Sequence, residues 1–268
     1  MWYEPIIIVF IQLHIATAAY TLYAHRGMAH GHFNFHPILA HIMRFTLWFT
    51  RAFAWKGWVR NFAALHRKHH TYPDIKGVDP HSPYEYTFGQ MFSNLKAEAY
   101  DGPHYISTEE AHKWTPDLVD HDDWIENKLY TRYPKLGLLI IWATLTYFYG
   151  WAGFITAGLA WYLPKHLGVF IGSWLPHKFG LKHFKNEEKD DRSRNVSPWG
   201  LWWAGEEIHE NHHKWPGSWN FARRWYEFDI GYWYARFFML IGLMSIRNAP
   251  YRPDRSAEIG RASCRERV

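Results

Sequence analysis

The sequence predicts an all-α protein integral to a membrane, its helices carrying a cytosolic helical cap that holds a histidine-rich site for two metal ions. Three observations predict it. Of 268 residues, 48% are hydrophobic and 19% are Phe, Trp or Tyr, gathered into long apolar runs. Among 19 histidines, eight fall in three tight clusters at helical spacing. The single cysteine, Cys264, excludes a disulfide framework and any cysteine-based zinc or iron–sulfur centre. Metal chemistry in this chain has to run on histidine.

The aromatic content also excludes an intrinsically disordered chain. A net charge of +5 and a pI near 9.1, set beside the apolar runs, favour a membrane surface with anionic lipid over nucleic acid. The mean hydropathy of −0.38 understates the membrane character. That index penalises His, Trp and Tyr, which favour interfaces and buried sites over bulk water. No cleavable signal peptide is expected, because the N-terminal apolar run lacks a basic n-region and leads straight into a histidine cluster.

Along the chain, residues 5–24 (PIIIVFIQLHIATAAYTLYA) carry no formal charge and are long enough to cross ~30 Å of hydrocarbon as a helix. Residues 37–58 are apolar and aromatic but hold Arg44, Arg51 and Lys56. Arg44 and Arg51 share one helical face, which predicts a helix lying in the interface. Residues 98–126 hold nine Asp and Glu against one Lys and predict a solvent-exposed insert. Residues 136–176 form the longest apolar tract, with Gly150, Gly153 and Gly158, and predict a helical hairpin of two spans. Lys165 and His166 interrupt its second half without an evident reason. Residues 185–195 (KNEEKDDRSRN) predict a charged surface loop, and residues 232–244 a short interfacial segment. Residues 1–257 read as one domain. Residues 258–268 (EIGRASCRERV) depart in composition, resemble a translated sequencing adapter, and are left out of the fold.

The clusters are His25 and His30 in HRGMAH, His66, His69 and His70 in HRKHH, and His209, His212 and His213 in HENHH. Two copies of H-x2-H-H are expected by chance in fewer than roughly one such sequence in a hundred. Residues at i, i+3 and i+4 lie on one helical face, so three imidazoles can converge. Neutral imidazole suits iron, copper, zinc and nickel, and eight histidines exceed what one ion coordinates, so two ions are the economical reading. The clusters have to lie on one side of the membrane to meet. A two-span hairpin between the second and third clusters returns the chain to that side, provided that residues 37–58 do not cross.

In these three boxes, in this order and with these flanking spans, the chain resembles the integral-membrane fatty acyl desaturase family from residue 5 to about residue 246. Arg26, the Asp79-Pro80-His81 run, Gly205-Glu206-Glu207 and the WYEFDIG segment (residues 225–231) resemble its acyl-CoA, delta-9-like branch. The resemblance implies two iron ions (Fe2+), and a ninth ligand, His177 in SWLPHKFG. It places Ser173 where relatives carry an asparagine that reaches iron through water. It implies O2-dependent removal of two hydrogens from a saturated acyl chain, borne as a fatty acyl thioester (acyl-CoA foremost) or an acyl lipid. It also implies a separate electron donor: ferredoxin, rubredoxin, or a b-type cytochrome with its reductase. No haem, flavin or cysteine-rich electron-transfer signature occurs in this chain.

Around the boxes, Asp79, Glu206, Glu207 and Glu210 are candidates to accept the free N–H of ligand imidazoles. His81 is either such a partner or a turn residue. His32, His36 and His41 are expected at the surface or interface. Arg67 and Lys68 are expected on a solvated face, with a substrate phosphate as the other reading. Rival functions are a related di-iron lipid hydroxylase or ketolase and, in another class, a membrane metal-binding or transport protein. The expected location is a bacterial inner membrane with the metal site on the cytoplasmic side. Deleting residues 258–268 should leave expression and activity unchanged, and a large loss of either in a membrane assay would show that the tail packs against the enzyme.

Overall fold

The computed structural model describes residues 3–51, 57–80, 84, 106–169, 172, 174–184, 190–248 and 250–251, with side chains left out for 163–169. Helix α1 (Glu4–Ala19) is apolar around its whole circumference and continues as a π-helical stretch, Tyr20–Ala29, that carries the first histidine box. A short strand β1 (Phe33–Phe35) leads into α2 (Pro37–Arg51), and α3 (Trp58–Thr71) carries the second box on its last turns. Next come α4 (Thr108–Trp114), a π-helical turn Glu126–Tyr130, and α5 (Leu136–Val169). A one-turn helix α6 (Leu175–Lys178) bears His177, and α7 (His209–Lys214) bears the third box. Strands β2 (Trp199–Gly200) and β3 (Phe228–Asp229), helix α8 (Ile230–Leu240) and strand β4 (Met244–Ile246) complete the order. Among the described residues the sheet content is two minimal pairs, β1 antiparallel to β4 and β2 parallel to β3, so helices set the architecture there.

Among the described residues, two segments are long and apolar enough by length and composition to cross a membrane, Glu4–Ala29 and Leu136–Tyr162. The second is not a straight rod. Gly150, at φ 56° and ψ −135°, breaks α5 into antiparallel arms, residues 136–149 and 151–169. Trp142 on the first arm meets Phe154 and Trp161 on the second, and Gly153 passes so close to the Leu145 carbonyl that a methyl group would overlap it. The predicted hairpin is present, but its first arm, about 21 Å long at 1.5 Å per residue, falls short of the ~30 Å expected of a full span. Val9 and Leu13 of α1 pack against Leu145, Ala157 and Ala160 of the hairpin. Ile6, Ile7, Phe10, Ile11 and Ile15 face outward, as lipid-facing residues do.

Three polar expectations change. The arginines of α2 point inward: Arg44 is buried and pairs with Asp123 and Glu126, and Arg51 donates to Thr17 Oγ1 at 2.6 Å. The exposed residues of α2 are apolar, Ile38, Ile42 and Phe45. The acidic stretch is accordingly no loose insert over its described part, residues 106–126. It lies against α3 and α2 and supplies Asp117 to Arg67, Asp120 to Arg60 and Asp123 to Arg44. A guanidinium cannot stay buried without a counter-charge, so the arginines capture the carboxylates. The 185–195 loop also turns inward where it is described, since Ser193 and Asn195 are buried. Lys165 and His166 have no described side chains, and residues 258–268 lie outside the described residues.

The deepest polar contact ties the box regions together. Arg26 and Asp229 form a two-pronged pair at 2.9 and 3.0 Å, both side chains fully buried. Arg26 also donates to the carbonyls of Trp219 and Ala204, while Asp229 accepts from the backbone N–H of Phe221 and caps α8 at Tyr232. Gly205, at φ 103°, gives the Arg26 guanidinium its room, because a Cβ there would strike both Arg26 and Asp229. Asp229→Ala should cost about 3–5 kcal/mol by leaving the buried Arg26 unpaired. Unfolding midpoints of the detergent-solubilised protein check this.

Candidate metal centre

The first box works because its helix is not an α-helix. Five residues on an α-helix separate side chains by roughly 140° around the axis. In the π-helical stretch the backbone bond runs from His30 N–H to the His25 carbonyl at 3.0 Å, stacking the two residues on one face. Their ring centroids lie 5.0 Å apart. On α3 and α7 the ordinary i, i+3, i+4 spacing brings three histidines each to one side.

The structure brings all nine predicted histidines together, buried, in two sets. One set is His25, His30, His66, His70 and His212, and the other is His69, His177, His209 and His213. Within each set one ring nitrogen per residue lies within 4.8 Å of the others. In the first, Nε2 of His25 is 2.8 Å from Nε2 of His66 and 3.0 Å from that of His212. His30–His66 and His70–His212 are each 2.9 Å apart between Nε2 atoms. In the second, His69–His213 is 3.2 Å and His177–His209 is 3.1 Å.

Protonation makes these contacts informative. Nδ1 of His25 donates to Glu206 at 2.7 Å, Nδ1 of His69 to Asp79 at 2.9 Å, and Nδ1 of His177 to Asp74 at 2.8 Å. A carboxylate only accepts, so each neutral ring keeps its proton on Nδ1 and presents a bare Nε2 lone pair. His25 aims that lone pair at two other nitrogens. An imidazole N–H satisfies one such contact at a time, so some lone pairs must face each other unless a cation lies among them. The donor set fits a metal ion. Burial, then the neighbouring imidazoles, hold His30, His70, His209 and His212 well below the ordinary histidine range, in the neutral form that binds metal. Burial lowers His213 to about 4 despite Asp191 beside it. Burial also opposes charge on His177, but the Asp74 carboxylate outweighs it and raises this ring above its usual value.

The other site residues divide. Asp79 and Glu206 back ring nitrogens, and Thr21 also donates to Glu206. Glu207 does not; its carboxylate accepts from the backbone N–H groups of Trp202 and Trp203, closing the turn just before it. Glu210 likewise accepts from the backbone of His183 and Phe184. Ser173 and His81 lie outside the described residues. His32 is buried, not superficial, and stacks on His30 at 5.5 Å with an interplanar angle of 10°. His36 is exposed, and His41 stacks on Tyr130. Arg67 is buried and holds the Ala29 and Met28 carbonyls of the first box as well as Asp117, while Lys68 pairs with Glu110. Sequence reasoning missed Asp74 and Asp191; Asp191 Oδ2 lies 3.5 Å from His213 Nδ1. Only the resemblance of Arg26 and of WYEFDIG to the acyl-CoA branch hinted at the Arg26–Asp229 tie.

The variants His69→Ala and His212→Ala should each lower the metal bound per chain, because each removes a nitrogen from a different set. His41→Ala should retain the parent content. Glu206→Gln should weaken metal retention ~10–100-fold by loosening the His25 ring. Elemental analysis of purified protein after chelator challenge reads all of these.

No protein-family model matches the chain. Among curated proteins it is similar to delta-9 acyl-lipid desaturase 2 of Arabidopsis thaliana, 29% identical over 245 residues, covering 88% of this chain and 72% of the relative. It is also similar to the sn-2 palmitoyl-lipid 9-desaturase of Nostoc sp., 26% identical over 251 residues, with 90% and 80% covered. A third relative is the hex-5-enoyl-(acyl-carrier protein) acetylenase of Moorena producens, 29% identical over 253 residues, with 87% and 74% covered. These likenesses each cover 87–90% of the chain, so over most of its length the chain is similar to fatty acyl desaturases and a related acetylenase.

Proposed function

We propose that this protein is an O2-dependent desaturase that introduces a double bond into a saturated acyl chain, with acyl-CoA as the substrate form. The observation that carries the reading is the convergence of nine buried imidazoles into a five-nitrogen and a four-nitrogen set beside the apolar Glu4–Ala29 helix and the apolar hairpin. His25, His30, His66, His70 and His212 would hold one iron ion, and His69, His177, His209 and His213 the other. Two iron ions held there supply the O2 activation that removing hydrogen from an unactivated methylene pair requires.

The protein's own work is ligation, orientation and exclusion of water. Glu206, Asp79 and Asp74 fix the tautomers of His25, His69 and His177, so that Nε2 is the free donor atom in each. Phe221 packs on His212 at 4.4 Å and Phe62 stacks on His66 at 5.6 Å, keeping the first set dry. The chemistry needs no side chain as nucleophile or proton donor, and none is assigned. Two electrons per turnover come from a separate ferredoxin, rubredoxin or b-type cytochrome. The location is a bacterial inner membrane, with the metal centre on the cytoplasmic side.

A second substrate form has specific support: the named relatives act on acyl lipids or on an acyl-carrier-protein substrate. Membranes from a host expressing the chain, supplied with labelled stearoyl-CoA or with labelled phosphatidylcholine, separate the two. A new monounsaturated acid arising first from the CoA ester is expected. Arrival first in the lipid would replace acyl-CoA by acyl lipid, and a hydroxy acid in place of the alkene would overturn desaturation.

A further inference from the structure

In the four-histidine set three imidazoles lean on carboxylates, and those carboxylates meet at a residue outside every histidine box. Asp74 follows α3 in the left-handed region, at φ 61°, which Asp and Asn tolerate and most side chains avoid. Its side chain is fully buried. Oδ2 accepts from His177 Nδ1–H at 2.8 Å and from the Arg192 backbone N–H at 2.9 Å. The Asp74 backbone N–H donates at 2.7 Å to Asp79 Oδ2, the same oxygen that accepts from His69 Nδ1–H at 2.9 Å. Arg192 follows Asp191, the carboxylate beside His213. One residue thus touches the support of three rings: His177 through its side chain, His69 through its N–H, and His213 through the loop that it anchors.

The five-histidine set is built differently. Glu206 backs His25, and Nδ1 of His30 and of His212 meets no acceptor among the described residues, whereas in the four-histidine set His209 alone shares that state. One ligand atom from each of Asp74, His177 and Asp191 also lies within 4.8 Å of the others. Asp74, however, engages the Nδ1 side of His177, away from the Nε2 that faces His209, so it backs the set and does not join it.

We propose that Asp74 is the positioning residue of the four-histidine half, fixing His177 directly and the supports of His69 and His213 through the backbone, so that metal retention in this half alone depends on it. This rests on the two-metal reading above. The left-handed backbone is the consequence of folding the turn after α3 tightly enough to aim Asp74 and Asp79 at one set. Asp is suited to both demands.

The test uses the full-length protein, the parent beside Asp74→Gly and Asp74→Asn, loaded anaerobically with ferrous 57Fe, counted for metal and examined by Mössbauer spectroscopy. Gly removes the carboxylate while relaxing the backbone; Asn keeps an acceptor and the left-handed turn but loses the charge. The parent should bind two ions in two spectral components. Asp74→Gly should fall to about one ion with one component missing, and Asp74→Asn should lose that same ion to chelator ~10–100-fold more readily than the other. If both variants keep two ions as firmly as the parent, Asp74 is a turn residue and the proposal falls. It falls equally if both ions leave together in Asp74→Gly, or if the parent binds a third. Should Asp74→Gly fail to fold, the chelator measurement on Asp74→Asn decides alone. A parent that binds no iron would overturn the two-metal reading itself, a failure visible before any variant is made.

Discussion

Six Nε2–Nε2 separations of 2.8–3.2 Å bring imidazole nitrogens face to face in a dry interior. Bare lone pairs at such distances repel, and burial denies them water, so the arrangement persists only where the scaffold holds each ring from behind. The surrounding fold can be read as that scaffold. Carboxylates grip Nδ1, aromatic rings wedge the faces, and four helical segments carry the rings. A cation among the nitrogens turns repulsion into binding, which is why stability and metal loading are coupled in such centres.

Buried arginines are the second layer of this scaffold. Arg26 bridges the first box to the region after the third, and Arg67, inside the second box, ties carbonyls of the first. Arg44 and Arg60 draw in the acidic stretch that precedes the hairpin. Each guanidinium offers five donors in a rigid fork, so one residue can satisfy several carbonyls and a carboxylate at once. A desolvated pair of this kind stabilises little by itself, but removing one partner is costly. That asymmetry suits a centre whose geometry has to be kept.

The acidic stretch illustrates where sequence reasoning reached its limit. Nine acidic residues against one lysine describe a hydrated insert when each charge is taken alone. Four of them, Asp117, Asp120, Asp123 and Glu126, pair with arginines about 50 to 80 positions away, which local charge patterning cannot pair. The same limit hid the inward turn of Arg44, because a shared helical face does not say which side of the helix is wet. Glu207 and Glu210 were plausible backing groups by adjacency, yet both bend to nearby backbone N–H groups.

The sequence by itself determined the eight box histidines, the helical character, the apolar runs and the existence of a hairpin within residues 136–176, because these follow from local periodicity, composition and short spacing. His177 came from the family resemblance alone. The i, i+3, i+4 boxes are complete statements of geometry once the helix is granted. Only the tertiary structure decided how nine rings divide into five and four, and that H-x4-H rides on a π-helical stretch. It alone made Asp74 and Asp191 the carboxylates behind His177 and His213. The division into five and four and the choice of those carboxylates depend on contacts between residues from 22 to 187 positions apart, and chain-distant contacts are set by packing and burial rather than by any local pattern.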